Sequence, residues 1–447
     1  MDNDPQRSLS RCILIPSEPD LAAQKRVRVS TGNSALKVTC QVRLDLPAPP
    51  PSCRDNTIDD RSDVDKIFGG WRLTCLDDEG APKQNGGDEF YVEYKEELVG
   101  NLNVQEEETE STSPVPPAPH LFAVAFVTDL NNGPYDLRFS TTPTYPSLPE
   151  TDESDDGYPS QTIRRTLTVY LDYSNRIGSM APPSKAEWQD GGYTHTQYSI
   201  QVNERPPNIQ KFQFQPSQST PNLRNFDKVI CFGDSTMDQF VRQRPNTKGK
   251  YYFQPNLIVG EKVTMGLNSE TVEDMLQELE RQHGALLNET CKMESSCPVA
   301  LLLCSALWDI LDSQDTMQGE SYDNHRQALQ EYIERIRQSY PHVTIVWKLP
   351  MAVHPHVVQL ERLVDAETGK PVLFGIDRLR YMSKYRSRYI YELQKELMQE
   401  LDVKVLDIYD ATHLSAHRLY PSDGRHYRAD LNRLMLNWFF YDEDSTY

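Results

Sequence analysis

No apolar run in this 447-residue chain approaches the ~20 residues a membrane-spanning helix needs. An integral membrane segment is therefore not expected. Positive charge is scarce: 46 Lys and Arg stand against 66 Asp and Glu, a formal net charge of -20. Nucleic acid and anionic membranes attract clustered Lys and Arg, so neither is expected as the main partner. Metal-ligand spacings of the CxxC and HExxH kind do not occur. Asn246-Thr247-Lys248-Gly249-Lys250 lacks the further glycines that would cradle a phosphate. No metal and no other cofactor is expected. Met1 to Asp20 has no apolar core and reads as a polar arm rather than a secretory signal. The chain then reads as cytoplasmic, while a trimmed chain is compatible with a secretory or Golgi route. Nothing in the sequence sets an oligomeric state.

What is present changes character near Arg205-Pro206-Pro207. Before it, short runs alternate apolar and polar residues: Ala35 to Leu44, His120 to Val127, Tyr135 to Phe139, Thr166 to Leu171 and Tyr198 to Val202. Period two predicts half-buried antiparallel strands, and Asn132-Gly133 predicts a hairpin turn. An all-β sandwich over 21–205 is expected, with disordered inserts near 104–119 and 146–160 where acidic and Pro-rich sequence accumulates. A linker at 206–224 follows. From 225 to 447 the pattern is α/β. Apolar runs at Lys228–Phe232, Val299–Cys304, Val343–Trp347 and Val403–Ile408 alternate with helical patterns at Ser269–His283, Tyr322–Ser339, Asp377–Leu401 and Ala429–Phe440. Strands apolar throughout must be covered on both faces, which predicts a parallel sheet in a three-layer, flavodoxin-like arrangement.

Two short motifs carry the chemistry. Gly233-Asp234-Ser235 follows the first of these strands, and Asp423-Gly424-Arg425-His426 precedes the last helix. A serine hydroxyl becomes a nucleophile when a base takes its proton, and an acid that orients the base completes the set. Ser235 falls at a strand's C-terminal end, where open α/β sheets place their sites. Each motif is also good turn sequence, and Asp234 or Asp423 can serve a turn by bonding backbone amides.

Together the motifs resemble those of SGNH/GDSL-type hydrolases of the PC-esterase group, which includes polysaccharide and sialic-acid O-acetyltransferases and the neurexophilin-and-PC-esterase (NXPE) proteins. The resemblance covers roughly 225–447. It implies Ser235 as nucleophile, His426 as base and Asp423 as orienting acid. It also implies a serine-dependent esterase or acyltransferase acting on O-acyl groups, O-acetyl above all, of a carbohydrate. In Val263-Thr264-Met265-Gly266 the best match to the oxyanion-binding glycine is Gly266. Trp308, in Cys304-Ser305-Ala306-Leu307-Trp308-Asp309, stands where these enzymes carry an oxyanion-binding asparagine. Its indole N–H can donate one hydrogen bond, or the ring can line the cleft. Asp309 reads as a turn residue. Asp129 to Phe139 is similar to a strand pair of the filamin-like immunoglobulin domain found in the NXPE proteins.

His354 and His356 lie beyond a strand on the same sheet edge and are candidates for the substrate cleft; His413 and His417 read as packing or surface residues. Arg378, Arg380, Lys384, Arg386 and Arg388 form a basic stripe that reads as a solvated face or a surface for an acidic glycan. Cys231 and Cys304 sit in apolar runs and read as buried thiols. Cys291 and Cys297 can close a loop or stay reduced, next to the sequon Asn288-Glu289-Thr290. Two rival functions follow: a glycan-binding scaffold with little or no turnover, suggested by Trp308, and a lipid esterase, which needs an apolar cleft.

Overall fold

The computed structural model describes residues 11–12, 42–45, 71–76, 89–99, 121–129, 134–143, 162–172, 196–203, 205–206, 209–214, 220–242, 256–291, 297–311, 320–357, 384–420 and 424–440. Asp423, Asn132-Gly133, Arg378, Arg380, the Ala35–Gln41 part of the first predicted strand and both predicted inserts lie outside them. Two compact units result, one ending at Phe212 and the other running from Gln213, apart from short segments.

The first unit is an antiparallel sheet of eight strands: β1 (Arg11–Cys12), β2 (Val42–Asp45), β3 (Trp71–Leu76), β4 (Glu89–Val99), β5 (Leu121–Asp129), β6 (Pro134–Thr141), β7 (Thr162–Asp172) and β8 (Thr196–Gln201). Their order is β1-β3-β6-β5-β4-β7-β8, with β2 also on β3. The described strands thus form one hydrogen-bonded sheet, where a sandwich of two sheets is expected. Alternate residues build one core of Trp71, Leu73, Phe90, Val92, Tyr94, Tyr135, Leu137 and Phe139 with their neighbours. The sheet coils over it: the rings of Trp71 on β3 and Tyr94 on β4, which are not adjacent strands, meet edge to face at 6.3 Å.

The charged sequence of β4 hid a long strand from pattern reading. It pairs with β7 along its whole length, from Glu89↔Asp172 to Val99↔Thr162. Glu96 lies fully buried in it. Its carboxylate accepts from Tyr94 Oη at 2.7 Å, Arg165 Nε at 3.0 Å and Arg205 Nε at 2.9 Å, and Arg205 Nη2 reaches the other oxygen. Arg205 beside it, aided by Tyr94 and Arg165 against the burial that opposes charge, holds the Glu96 carboxyl down at about 2. Arg205, where composition marks a boundary, is therefore tied into the first unit. The chain stays there further: Gln210 exchanges backbone hydrogen bonds with Phe139 and Thr141 at 3.0 and 2.9 Å. The predicted linker 206–224 is thus structured at both ends, since Leu223–Asn225 forms a turn of 3-10 helix capped by Asn222.

The second unit carries five parallel strands: β9 (Lys228–Phe232), β10 (Leu257–Val259), β11 (Val299–Leu303), β12 (Thr344–Lys348) and β13 (Lys404–Leu406). Their order is β10-β9-β11-β12-β13, or 2-1-3-4-5, a doubly wound α/β sheet. Its helices are α1 (Ser235–Val241), α2 (Val272–Cys291), α3 (Leu307–Leu311), α4 (Glu320–Ser339), α5 (Lys384–Glu400), α6 (Tyr409–His413) and α7 (Ala429–Trp438). On one face Met275 and Leu279 of α2, Leu329 and Ile333 of α4, and Leu397 of α5 pack on Ile230, Leu301, Leu303 and Trp347. Each such fully buried side chain contributes about 1.5–3 kcal/mol. Cys231 and Cys304 are buried free thiols, as their apolar surroundings predict. Asn268 rather than Ser269 closes the turn that leads into α2, its Oδ1 accepting from Glu270 and Thr271 amides at 2.9 and 3.1 Å. The helix runs two turns past the predicted end to Cys291, which is disulfide-bonded to Cys297.

The chain leaves β9 for β10 on one side and then returns to β11 on the other. Ser235 follows β9, at the point where the strand order reverses.

Candidate functional site

The turn after β9 is held from three directions. Gly233 O accepts from Val263 N at 2.7 Å, and Phe232 O from Cys304 N at 3.3 Å. A side chain at 233 would place its Cβ 2.6 Å from Cys304 Sγ and 2.8 Å from Cys304 O, so the turn closes on β11 only with glycine. Asp234 caps α1: its Oδ1 accepts from Thr236 N at 2.8 Å and Thr236 Oγ1 at 2.6 Å. Its Oδ2 accepts from Leu307 N at 3.1 Å, so one carboxylate joins the serine turn to the start of α3. Ser235 is then the first residue of α1 and half-buried.

Ser235 Oγ lies 2.9 Å from His426 Nε2, across 191 positions of sequence. His426 is buried. Its loop is clamped by backbone: Tyr420 N donates to His426 O at 2.9 Å, and His354 N to Gly424 O at 2.8 Å. Gly424 turns with φ 62°, a left-handed conformation that glycine adopts without cost. Beside it, the buried Tyr427 hydroxyl reaches the carbonyls of Ala352 and Thr412 at 2.8 and 2.9 Å. Burial pushes the Cys304 thiol, packed against the serine turn, up to about 12, so it stays protonated at neutral pH.

Gly266 is buried close by, in the loop that Val263 anchors to Gly233. Trp308 is half-buried in the first turn of α3. His354 is fully buried and its Nε2 faces Thr412 O at 3.2 Å, so it braces the His426 loop from inside rather than lining a cleft. His356 is half-buried, its ring edge to face with that of His354 at 5.5 Å, and His413 stacks on His354 at 6.2 Å. Among the described residues no group of three His, Cys, Asp or Glu is placed to hold a metal ion. The basic stripe is divided: Arg388 is exposed and paired with Glu392, whereas Arg386 is buried and donates to Ile310 O at 2.8 Å.

Sequence reading missed two groups. Lys348, 1% exposed at the end of β12, points Nζ at Thr236 Oγ1 at 3.3 Å. Asp309 is not a turn residue but a half-buried residue of α3 whose carboxylate takes hydrogen bonds from Leu267 N at 2.6 Å and Ser305 Oγ at 2.7 Å. A lysine ending an apolar strand, and an acid four residues after a serine, are the faint signals that pointed to them.

Among the described residues no helix is long and apolar enough to cross a membrane. No family model matches the chain, and no curated protein does. Solved structures similar to it include an acetyl xylan esterase at 14% identity and TM-score 0.31, covering 47% of this chain and 96% of that one. A GDSL-like lipase from Parabacteroides merdae matches at 15% identity and TM-score 0.30, over 49% of this chain and 96% of its own. An acetylxylan esterase from Geobacillus stearothermophilus matches at 14% identity and TM-score 0.30, over 50% and 98%. Likeness of this size bears on neither activity nor substrate, which rest on the residues themselves.

Proposed function

We propose that the chain is a serine-dependent esterase or acyltransferase whose nucleophile is Ser235 and whose base is His426. The observation that carries the reading is the 2.9 Å approach of Oγ to Nε2 at the strand-order reversal of a parallel sheet. As Oγ attacks the ester carbonyl, its proton passes to Nε2. The carbonyl oxygen becomes an oxyanion, received by the backbone N–H groups of Ser235 and Gly266. Collapse expels the alcohol, which takes the proton from His426, and leaves an acyl-serine. Water then gives hydrolysis, or a second hydroxyl gives transfer. Asp423, three residues before His426, is assigned the orienting role on Nδ1. On the resemblance of the two motifs to the PC-esterase group, the acyl group is acetyl and its carrier a carbohydrate. The first unit is read on the same basis as a filamin-like domain.

Trp308 favours a second reading, a glycan-binding protein with slow or no turnover. One missing oxyanion donor costs about 2.7–4 kcal/mol of transition-state stabilisation. A fluorophosphonate probe separates the two. Labelling of the wild type that disappears in Ser235→Ala supports the enzyme; an unlabelled wild type overturns it. Among labelled outcomes, release of acetate from acetylated oligosaccharides but not of long acyl chains distinguishes the carbohydrate ester from a lipid.

A further inference from the structure

We infer that Asp309 is the positioning residue of the oxyanion site: its carboxylate fixes the Gly266–Leu267 loop so that the Gly266 N–H faces the reacting carbonyl. The inference deepens the esterase reading and rests on it.

One peptide group is central, the one joining Gly266 to Leu267. Its N–H donates to Asp309 Oδ1 at 2.6 Å, and its C=O accepts from Thr271 Oγ1 at 2.7 Å. Anchored at both ends, the plane cannot rotate. The next carbonyl, Leu267 O, meets His325 Nδ1 at 2.9 Å, and the same nitrogen lies 3.0 Å from Asp309 Oδ1. With these groups fixed, the direction of the preceding N–H, that of Gly266, depends only on the two backbone torsions of Gly266. Gly266 itself matches the carboxylate, because a Cβ there would lie 2.9 Å from Asp309 Oδ1.

Asp309 is in turn held by a chain of groups whose donor and acceptor roles leave little choice. An indole N–H only donates. Trp347 Nε1 donates to Gln394 Oε1 at 2.7 Å, which sets the amide's orientation. The amide nitrogen therefore faces Ser305 O at 2.6 Å and His325 Nε2 at 3.1 Å. His325 accepts on that side and carries its hydrogen on Nδ1, toward Asp309. His325 and Asp309 side chains are 3% and 6% exposed, so water does not compete for these bonds. Residues of β12, α3, α4 and α5 thus converge on one loop peptide. With Trp308 where the resembling enzymes carry an asparagine, the oxyanion depends more on backbone donors, and backbone donors are only as good as their fixation.

The test uses the full chain with a short acyl ester. Asp309→Ala is expected to lower kcat about 10²-fold while KM stays within about threefold, and to weaken a boronic acid inhibitor in proportion to kcat/KM. Asp309→Asn keeps the Oδ1 acceptor and is expected to retain kcat within about fivefold. Thr271→Val, a change at the half-exposed end of the network, removes the second anchor and is expected to cost kcat about tenfold with KM unchanged. It decides the matter if Asp309→Ala does not fold. An active wild type whose Asp309→Ala or Thr271→Val variant keeps its kcat overturns the inference, as does a loss confined to KM. A wild type that neither hydrolyses esters nor labels with fluorophosphonate overturns the parent reading instead.

Discussion

The antiparallel sheet of the first unit and the parallel sheet of the second place their polar groups differently. In the first, a carboxylate and two guanidinium groups meet within the sheet, at Glu96 between β4 and β7, and every oxygen of the acid is engaged. In the second, four of the five strands carry buried apolar residues, and the polar side chains collect beyond the strand ends: Asp234, Ser235 and Thr236 after β9, Ser305 and Asp309 after β11, Lys348 at the end of β12. A sheet covered on both faces has no room for polar groups except at its rim. The rim is therefore where chemistry can be assembled, whereas an ionic cluster inside a sheet serves folding. Substitutions should divide along the same line, with activity lost in the second unit and stability lost in the first.

The largest effect is expected at the serine–histidine pair. Ser235→Ala and His426→Ala should each lower kcat by roughly 10⁴-fold or more, and the double variant should be little worse than either, because the two act as a unit. Additive losses, measured with the same ester, would dissolve the pair. Next comes Gly233→Ala. The added methyl meets Cys304 backbone as well as its sulfur, so neither neighbour can simply swing away. Overpacking of this kind costs about 1–3 kcal/mol, and denaturant unfolding of the purified variant measures it. Activity should fall with it, since the turn that carries Ser235 must move.

In the first unit Glu96→Ala should destabilise by about 3 kcal/mol, the lower end for a broken buried pair because Arg205 is half exposed. Its pH dependence has a definite sign. The folded-state carboxyl sits at about 2 against an ordinary 4.5, so its contribution is complete above about pH 4.5 and is lost as the pH falls through about 2. Hydrogen exchange of β4 and β7 amides between pH 5 and 2.5 should show that loss, with Glu96→Gln flattening it. Unchanged protection across this range would remove the cluster from the stability of the sheet. The smallest effect belongs to Arg388→Ala. It breaks an exposed pair one helical turn apart and should cost no more than about 0.5 kcal/mol.

Four of the five parallel strands were legible in the sequence because they are apolar and their helices amphipathic; the edge strand β10, only three residues long and half-buried, was missed, and α2 runs eight residues past its expected end. The Ser235 and His426 motifs were legible for the same reason, each lying next to a strong element. β4 was not, because Glu89, Glu93, Lys95, Glu96 and Glu97 break its alternation, and their compensation by Arg164 and Arg165 comes from β7, far along the chain. Asp309 was misread because two of its partners, Leu267 and His325, lie 42 and 16 residues away, and the local partner Ser305, four residues before it, is a faint signal alone. His354 was placed on the right edge of the sheet, but strand position alone does not tell which way a side chain faces.

Cys304 lies against Gly233, shielded from solvent and unreactive while the turn is closed. It is therefore a built-in clock for this rim. A thiol reagent can reach that sulfur only when β11 and the serine turn part, so site-resolved alkylation rates at Cys304 would time how often the Ser235 turn opens.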